Sequence, residues 1–141
     1  MPICPEVIAK LQGAMNRRDV ETLLQCFAEH YRSEQPFHPE RAFSGIEKLR
    51  RNWTLIFERV PDFQAEVMCT KGDNGMVWSE WRWQGTGFEW RGVILFGVKD
   101  ELIEWARVYM EPVQLTEEND PTHWISRRMK MSRMHSQQQR H

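Results

Sequence analysis

At Phe63 the hydrophobic period of this chain changes from helical to two, and that change limits the folds open to it. Runs at 63–71, 76–84, 88–98 and 102–113 are rich in β-branched and aromatic residues, the composition of strands with one buried face. Gly72-Asp73-Asn74-Gly75, Gly85-Thr86-Gly87 and Lys99-Asp100-Glu101 separate them, and each supplies the residues that a hairpin turn demands. Four consecutive runs joined this way predict an antiparallel meander. No internal repeat is present.

Before the switch the spacing is helical. Pro5-Glu6 suits a helix start, with proline in the first turn and a carboxylate at the positive end of the dipole, and Val7, Ile8, Leu11 and Met15 follow as an apolar stripe. Asp19 is placed to cap a second, shorter helix carrying Val20, Leu23, Leu24 and Phe27, with His30 as a favourable charge at its negative end. HYRSEQPFHP then reads as a short strand running into a proline-bounded loop. Ser44-Gly45-Ile46-Glu47 has the form of a capping box, and Ile46, Leu49, Trp53, Ile56, Phe57 and Val60 continue at helical spacing until Pro61. Helices first and strands second, with one long amphipathic helix available to cover the sheet, predict an α+β domain.

Composition excludes several classes. The chain has 141 residues, the size of one domain with a core that needs no staples. Its 19 lysines and arginines nearly cancel its 20 aspartates and glutamates, so no global field favours nucleic acid or an anionic membrane. Cys4, Cys26 and Cys69 are odd in number and far apart, which fits neither a disulfide framework nor a zinc site and points to a reducing, cytoplasmic setting. The N-terminal MPICPEVIAK lacks a basic, apolar leader, and the longest apolar stretch, Val93 to Val98, is too short for a bilayer. His123, His135 and His141 match no metal spacing, and no phosphate-loop, dinucleotide or nucleophile-elbow motif occurs. No metal and no cofactor are expected. Residues 114–141 turn polar and acidic, then basic, and read as a solvated tail unless Trp124 and Ile125 dock it, with a part-helical segment behind them.

The order of elements, together with RRDVETLLQCFAEHY, FSGIEKLRRNW, VWSEWRWQGTG and LIEWARVYMEP, resembles the SnoaL-like branch of the NTF2-like superfamily over about residues 5–113. The resemblance implies a domain over 1–113: a cone of curved antiparallel sheet wrapped around a long helix, with two shorter helices before it. It also implies a hydrophobic hollow on the concave face and dimerisation through the convex one. Relatives in this branch include ketosteroid isomerase, polyketide cyclases and limonene-epoxide hydrolase, so the fold alone leaves function open.

Residue by residue, the acid/base set of limonene-epoxide hydrolase is missing. Its water-holding tyrosine and asparagine fall on Ser33 and Gln35, and its arginine and two aspartates on Trp81, Trp83 and Val108. The same register turns Ser79, Trp81, Trp83, Trp90, Ile94, Phe96, Val108 and Met110 inward. The implied ligand-contacting set is Trp81, Trp83, Trp90, Trp53, Ser33, Gln35 and Met110. These indoles either line a cavity for a flat apolar molecule or fill the hollow, each burying about 200 Å².

The opposite row is Trp78, Glu80, Arg82, Trp105, Arg107, Tyr109 and Glu111. Its mixture of aromatic and paired charged groups is that of a homodimer interface, although a carboxylate beside an arginine in a dry site also suits proton transfer. His38, in the loop QPFHPERAF with Arg41, is the best placed general base if the loop hangs over the mouth of the cone, and an ordinary exposed histidine otherwise. The expected function is binding of a small apolar molecule without the catalytic residues of the known enzymes. The alternative is an isomerase, dehydratase or cyclase acting on a hydrophobic cyclic substrate.

Overall fold

The computed structural model describes residues 5–73 and 75–114. Cys4 and the tail beyond Gln114, including the histidines and Trp124, lie outside the described residues. Helices α1 (Glu6–Arg17) and α2 (Val20–Leu24) are followed by strand β1 (Phe27–Glu34), a 3-10 turn (Pro39–Arg41), the short β2 (Phe43–Ser44) and helix α3 (Ile46–Arg59). The meander follows as β3 (Gln64–Asp73), β4 (Met76–Gly85), β5 (Phe88–Lys99) and β6 (Leu102–Pro112).

The helices form where the stripes predict them. Val7, Ile8, Leu11 and Met15 are buried on one face of α1, and the Asp19 carboxylate accepts the Thr22 backbone N–H at 3.1 Å to start α2. Two local expectations fail. Phe27 and His30 lie in β1 rather than at the end of α2, because the second helix stops at Leu24, and His30 Nε2 instead lies 3.2 Å from Glu104 of β6. The capping box at Ser44 is absent: Gly45 stands at the N-cap with φ +95° and no side chain caps the helix. Ser44 is instead held in β2, paired with Arg32 of β1. A φ of +95° is open to glycine and not to serine, so the turn from β2 into α3 falls on Gly45.

The sheet has six strands in the order β2-β1-β6-β5-β4-β3. Beyond the expected meander, β1 pairs with β6 in parallel, opposing Ser33 to Ala106 and Glu34 to Arg107, so the sheet is mixed. It curves through bulges between Val67 and Cys69 and between Gly97 and Val98. At Gly92 the β6 backbone passes so close to the position of a β-carbon that any side chain would meet the Tyr109 carbonyl. Exposed strand edges invite association, and α1 covers the outer edge strand chemically: Asn16 Oδ1 accepts from Ala65 N at 2.6 Å and Gln12 Oε1 from Val67 N at 2.9 Å.

The core sits between the concave face of this sheet and the helices, with Ile8, Leu11, Leu23, Phe63, Trp81, Ile103 and Met110 essentially inaccessible to water. No described helix is long and apolar enough to cross a membrane.

Candidate functional site

The wall of α3 sets the site. Leu49, Asn52, Trp53 and Ile56 follow the i, i+3, i+4, i+7 spacing of a single helix face, and all four line a cavity of about 550 Å³ between α3 and the concave sheet. The core does not close over this face. Strand periodicity supplies the opposite wall: Trp83 from β4, Trp90, Ile94 and Phe96 from β5, and Ala106, Val108 and Met110 from β6. Tyr31, Ser33 and Gln35 alternate inward along and just beyond β1. Arg41 and Leu55, both exposed, mark the opening.

One end of the cavity is a packed aromatic cluster. The Trp53 and Trp83 rings meet nearly edge-on at 5.4 Å between centroids, and Phe88 stacks on Trp90 at 5.9 Å, both favoured geometries for aromatic pairs. Trp83 Nε1 is buried there with no hydrogen-bond partner among the described residues. An unpaired buried donor of this kind carries a penalty of about 1–3 kcal/mol.

No polar group of the described wall takes up a proton near neutral pH. Burial pushes the Tyr31 phenol up to about 12, against a smaller lowering by its hydrogen bond with Ser33, so the hydroxyl is neutral across the physiological range. Gln35 and Asn52 are neutral amides. Among the described residues the guanidinium of Arg41 is the only formal charge in the wall, and its Nη1 donates to Gln35 Oε1 at 3.4 Å. No carboxylate and no imidazole lines the cavity among the described residues.

Of the residues singled out in the sequence, Trp53, Trp83, Trp90, Ser33, Gln35 and Met110 are brought together around this space. Trp81 is not among them. It is wholly buried in the core, where its Nε1 donates to Ser79 Oγ at 2.7 Å and that hydroxyl donates to the Ile94 carbonyl at 2.8 Å.

His38 also falls elsewhere. Its loop folds against the outer side of β6, with Phe37 edge-on to Tyr109 and His38 Nε2 2.6 Å from Glu111. The imidazole therefore does not reach the cavity, and the general-base role is withdrawn on geometry. Tyr31 and Asn52 were missed from the sequence. Asn52 was legible, since it stands three residues after Leu49 on the stripe of α3.

On the outer face, Trp78, Glu80 and Arg82 alternate on β4, and Trp105, Arg107, Tyr109 and Glu111 on β6. Arg82 lies 3.0 Å from Glu89 and Arg107 3.4 Å from Glu34, while Arg107 also covers the Trp105 ring at 5.4 Å. Trp78 is exposed.

A curved sheet and a long helix enclosing an aromatic cavity define a class of small α+β proteins with an internal apolar site. The SnoaL-like domain matches residues 8–106, and the chain belongs to that family. The fold is NTF2-like, or cystatin-like. A protein of Kribbella flavida DSM 17836, described provisionally as a ketosteroid isomerase, is 18% identical, with a TM-score of 0.65 over 84% of each chain. A SnoaL-like protein of unknown function from Burkholderia thailandensis E264 is also 18% identical, with a TM-score of 0.64 over 80% of this chain and 100% of that one. A protein of Catenulispora acidiphila DSM 44928 with a ketosteroid isomerase-like fold, solved with trimethylamine, is 14% identical, with a TM-score of 0.65 over 76% of this chain and 86% of that one. At these identities the likeness is one of fold. No curated protein matches the chain in sequence.

Proposed function

We propose that this chain binds a small, largely apolar molecule in the aromatic cavity and does not carry out acid/base chemistry there. The observation behind this reading is a space of about 550 Å³, within the range of small-molecule sites, whose described wall holds no group that takes a proton near neutral pH. Proton abstraction needs a base within hydrogen-bond reach of the substrate. The Tyr31 phenol keeps its proton to about pH 12, and His38 is engaged with Glu111 outside.

Calorimetry and tryptophan-fluorescence titration with a panel of planar apolar compounds test the reading. Saturable binding without turnover is expected, and Val108→Trp, which projects an indole into the space, should abolish it with no loss of thermal stability. Turnover of a bound compound by the wild-type protein would refute it, as would binding undisturbed by Val108→Trp.

The outer face supports a second copy of this chain as partner. Val93, Leu95, Trp105 and Tyr109 are half-buried there, between the pairs Arg82–Glu89 and Arg107–Glu34, the mixture of apolar and internally paired charged groups found at subunit interfaces. Sedimentation should give a homodimer, and Arg107→Glu, which sets a second carboxylate beside Glu34, should shift it to monomer. A wild-type monomer at micromolar concentration would rule the interface out.

A further inference from the structure

The cavity has a polarity that its apolar walls hide. Among the described residues Arg41 is the sole charged one lining it, and no carboxylate lies within salt-bridge distance of its guanidinium. The nearest acids in sequence are occupied elsewhere: Glu34 lies 3.4 Å from Arg107 and 3.6 Å from Arg32, and Glu40 3.9 Å from His38 Nδ1. Gln35 adds to the same field. Its carbonyl oxygen accepts from Arg41 Nη1, which leaves its NH₂ as the end free to donate. A guanidinium and an amide N–H₂ thus converge at the mouth, while Trp53, Trp83, Phe88 and Trp90 form the apolar interior.

Resting on the binding reading above, we propose that the ligand is an amphipathic acid: a planar apolar body held among the indoles, with a single carboxylate at the mouth between Arg41 and Gln35. The chemistry is that of a planar guanidinium fork, which matches the two oxygens of a carboxylate. It also sets an order. A carboxylate is attracted, a neutral amide of the same shape gains only the apolar contacts and an ordinary hydrogen bond, and an ammonium is repelled with no acid in the described wall to offset the repulsion. An aromatic cage for a cation would need the opposite charge at this position. The arginine is exposed, so the advantage of acid over amide is that of a partly screened pair, about five-fold at low salt. It shrinks as the Debye length falls toward ~3 Å in 1 M salt.

The test is calorimetric titration of the full chain with three isosteric probes: phenanthrene-9-carboxylate, phenanthrene-9-carboxamide and 9-(aminomethyl)phenanthrene. The expected order of affinity is acid, amide, ammonium, with the acid-to-amide ratio falling toward one in 1 M sodium chloride while amide binding does not weaken. Arg41→Gln should bring the acid-to-amide ratio close to one, the acid losing more affinity than the amide, and Arg41→Lys should restore part of it. Because Arg41 is exposed, neither variant threatens folding, and circular dichroism checks this. Amide binding as tight as acid binding in the wild-type chain, or an acid preference that survives Arg41→Gln, overturns the acid-selective mouth while leaving the apolar site intact. If none of the three probes binds, both readings fall.

Discussion

Gly97 and Trp105 form a pair whose coupling tests the strand register from which every statement about the two faces follows. They are opposed across β5 and β6, and the indole lies over the glycine so closely that a β-carbon at 97 would fall within the ring. Gly97 does not lie in the left-handed region, and the three atoms nearest to a β-carbon there all belong to the Trp105 indole. Glycine in a strand otherwise costs about 0.5–1 kcal/mol relative to alanine. In the wild-type background Gly97→Ala must expel a half-buried indole, forfeiting about 2 kcal/mol of apolar burial, so the net effect is destabilisation of about 1–1.5 kcal/mol. With Trp105→Ala already present the clash is gone and the backbone gain remains. Gly97→Ala should then stabilise by about 0.5–1 kcal/mol, a coupling of about 2 kcal/mol and within the range for residues in contact.

Urea denaturation followed by far-UV circular dichroism measures all four proteins of this cycle. Repeating it at several protein concentrations exposes any contribution from association. Because the pair lies on the outer face, probe affinity in the cavity should be unchanged in folded Gly97→Ala. An effect of the same sign in both backgrounds would mean that the indole does not cover Gly97 and that the assignment of faces is wrong.

The buried Tyr31 phenol gives a pH signature. Its folded value of about 12 exceeds the ordinary 10.0, so both states are protonated below pH 10 and the contribution is constant there. Between pH 10 and 12 only the unfolded state releases its proton, and stability falls by up to about 1.4 kcal/mol per pH unit. Comparison with Tyr31→Phe isolates this slope, and equal alkaline slopes for the two proteins would show that the phenol is not buried. Ser79→Ala strands the Trp81 indole N–H inside the core and should cost about 1–3 kcal/mol by denaturant titration. The double variant Ser79→Ala/Trp81→Phe should cost less than the sum of its parts, and strict additivity would refute the hydrogen bond.

The parts of this fold legible in the sequence are those decided over a few residues. The stripe of α1, the Asp19 cap, the α3 face and the three hairpin turns all rest on local spacing or turn chemistry, and each appears within a residue or two of its expected place. What the spacing hid was decided over distance. The strand β1 has only the two-residue β2 as a nearby partner, and its place beside the meander comes from parallel pairing with β6 some seventy residues on. His38 was misplaced for the same reason: its contact with Glu111 spans 73 residues, and no local signal fixes the side of the sheet on which a proline-bounded loop will lie.

The division between Trp81 and Trp83 has a different cause. Both point inward, and strand parity cannot separate them, since two residues apart means the same face. Depth along the strand separates them, and hydrogen bonding marks the depth. A fully buried indole needs an acceptor, and Trp81 has one two residues earlier on its own face, the hydroxyl of Ser79. For Trp83 the corresponding neighbour is Trp81, which offers no acceptor, and its N–H has no partner among the described residues. The core therefore ends, and the cavity begins, at the point along β4 where the sequence stops supplying polar partners for its tryptophans. Read from the sequence, both indoles stand against the ligand; the hydrogen bond of Trp81 to Ser79 moves the first into the interior and leaves the second in the wall.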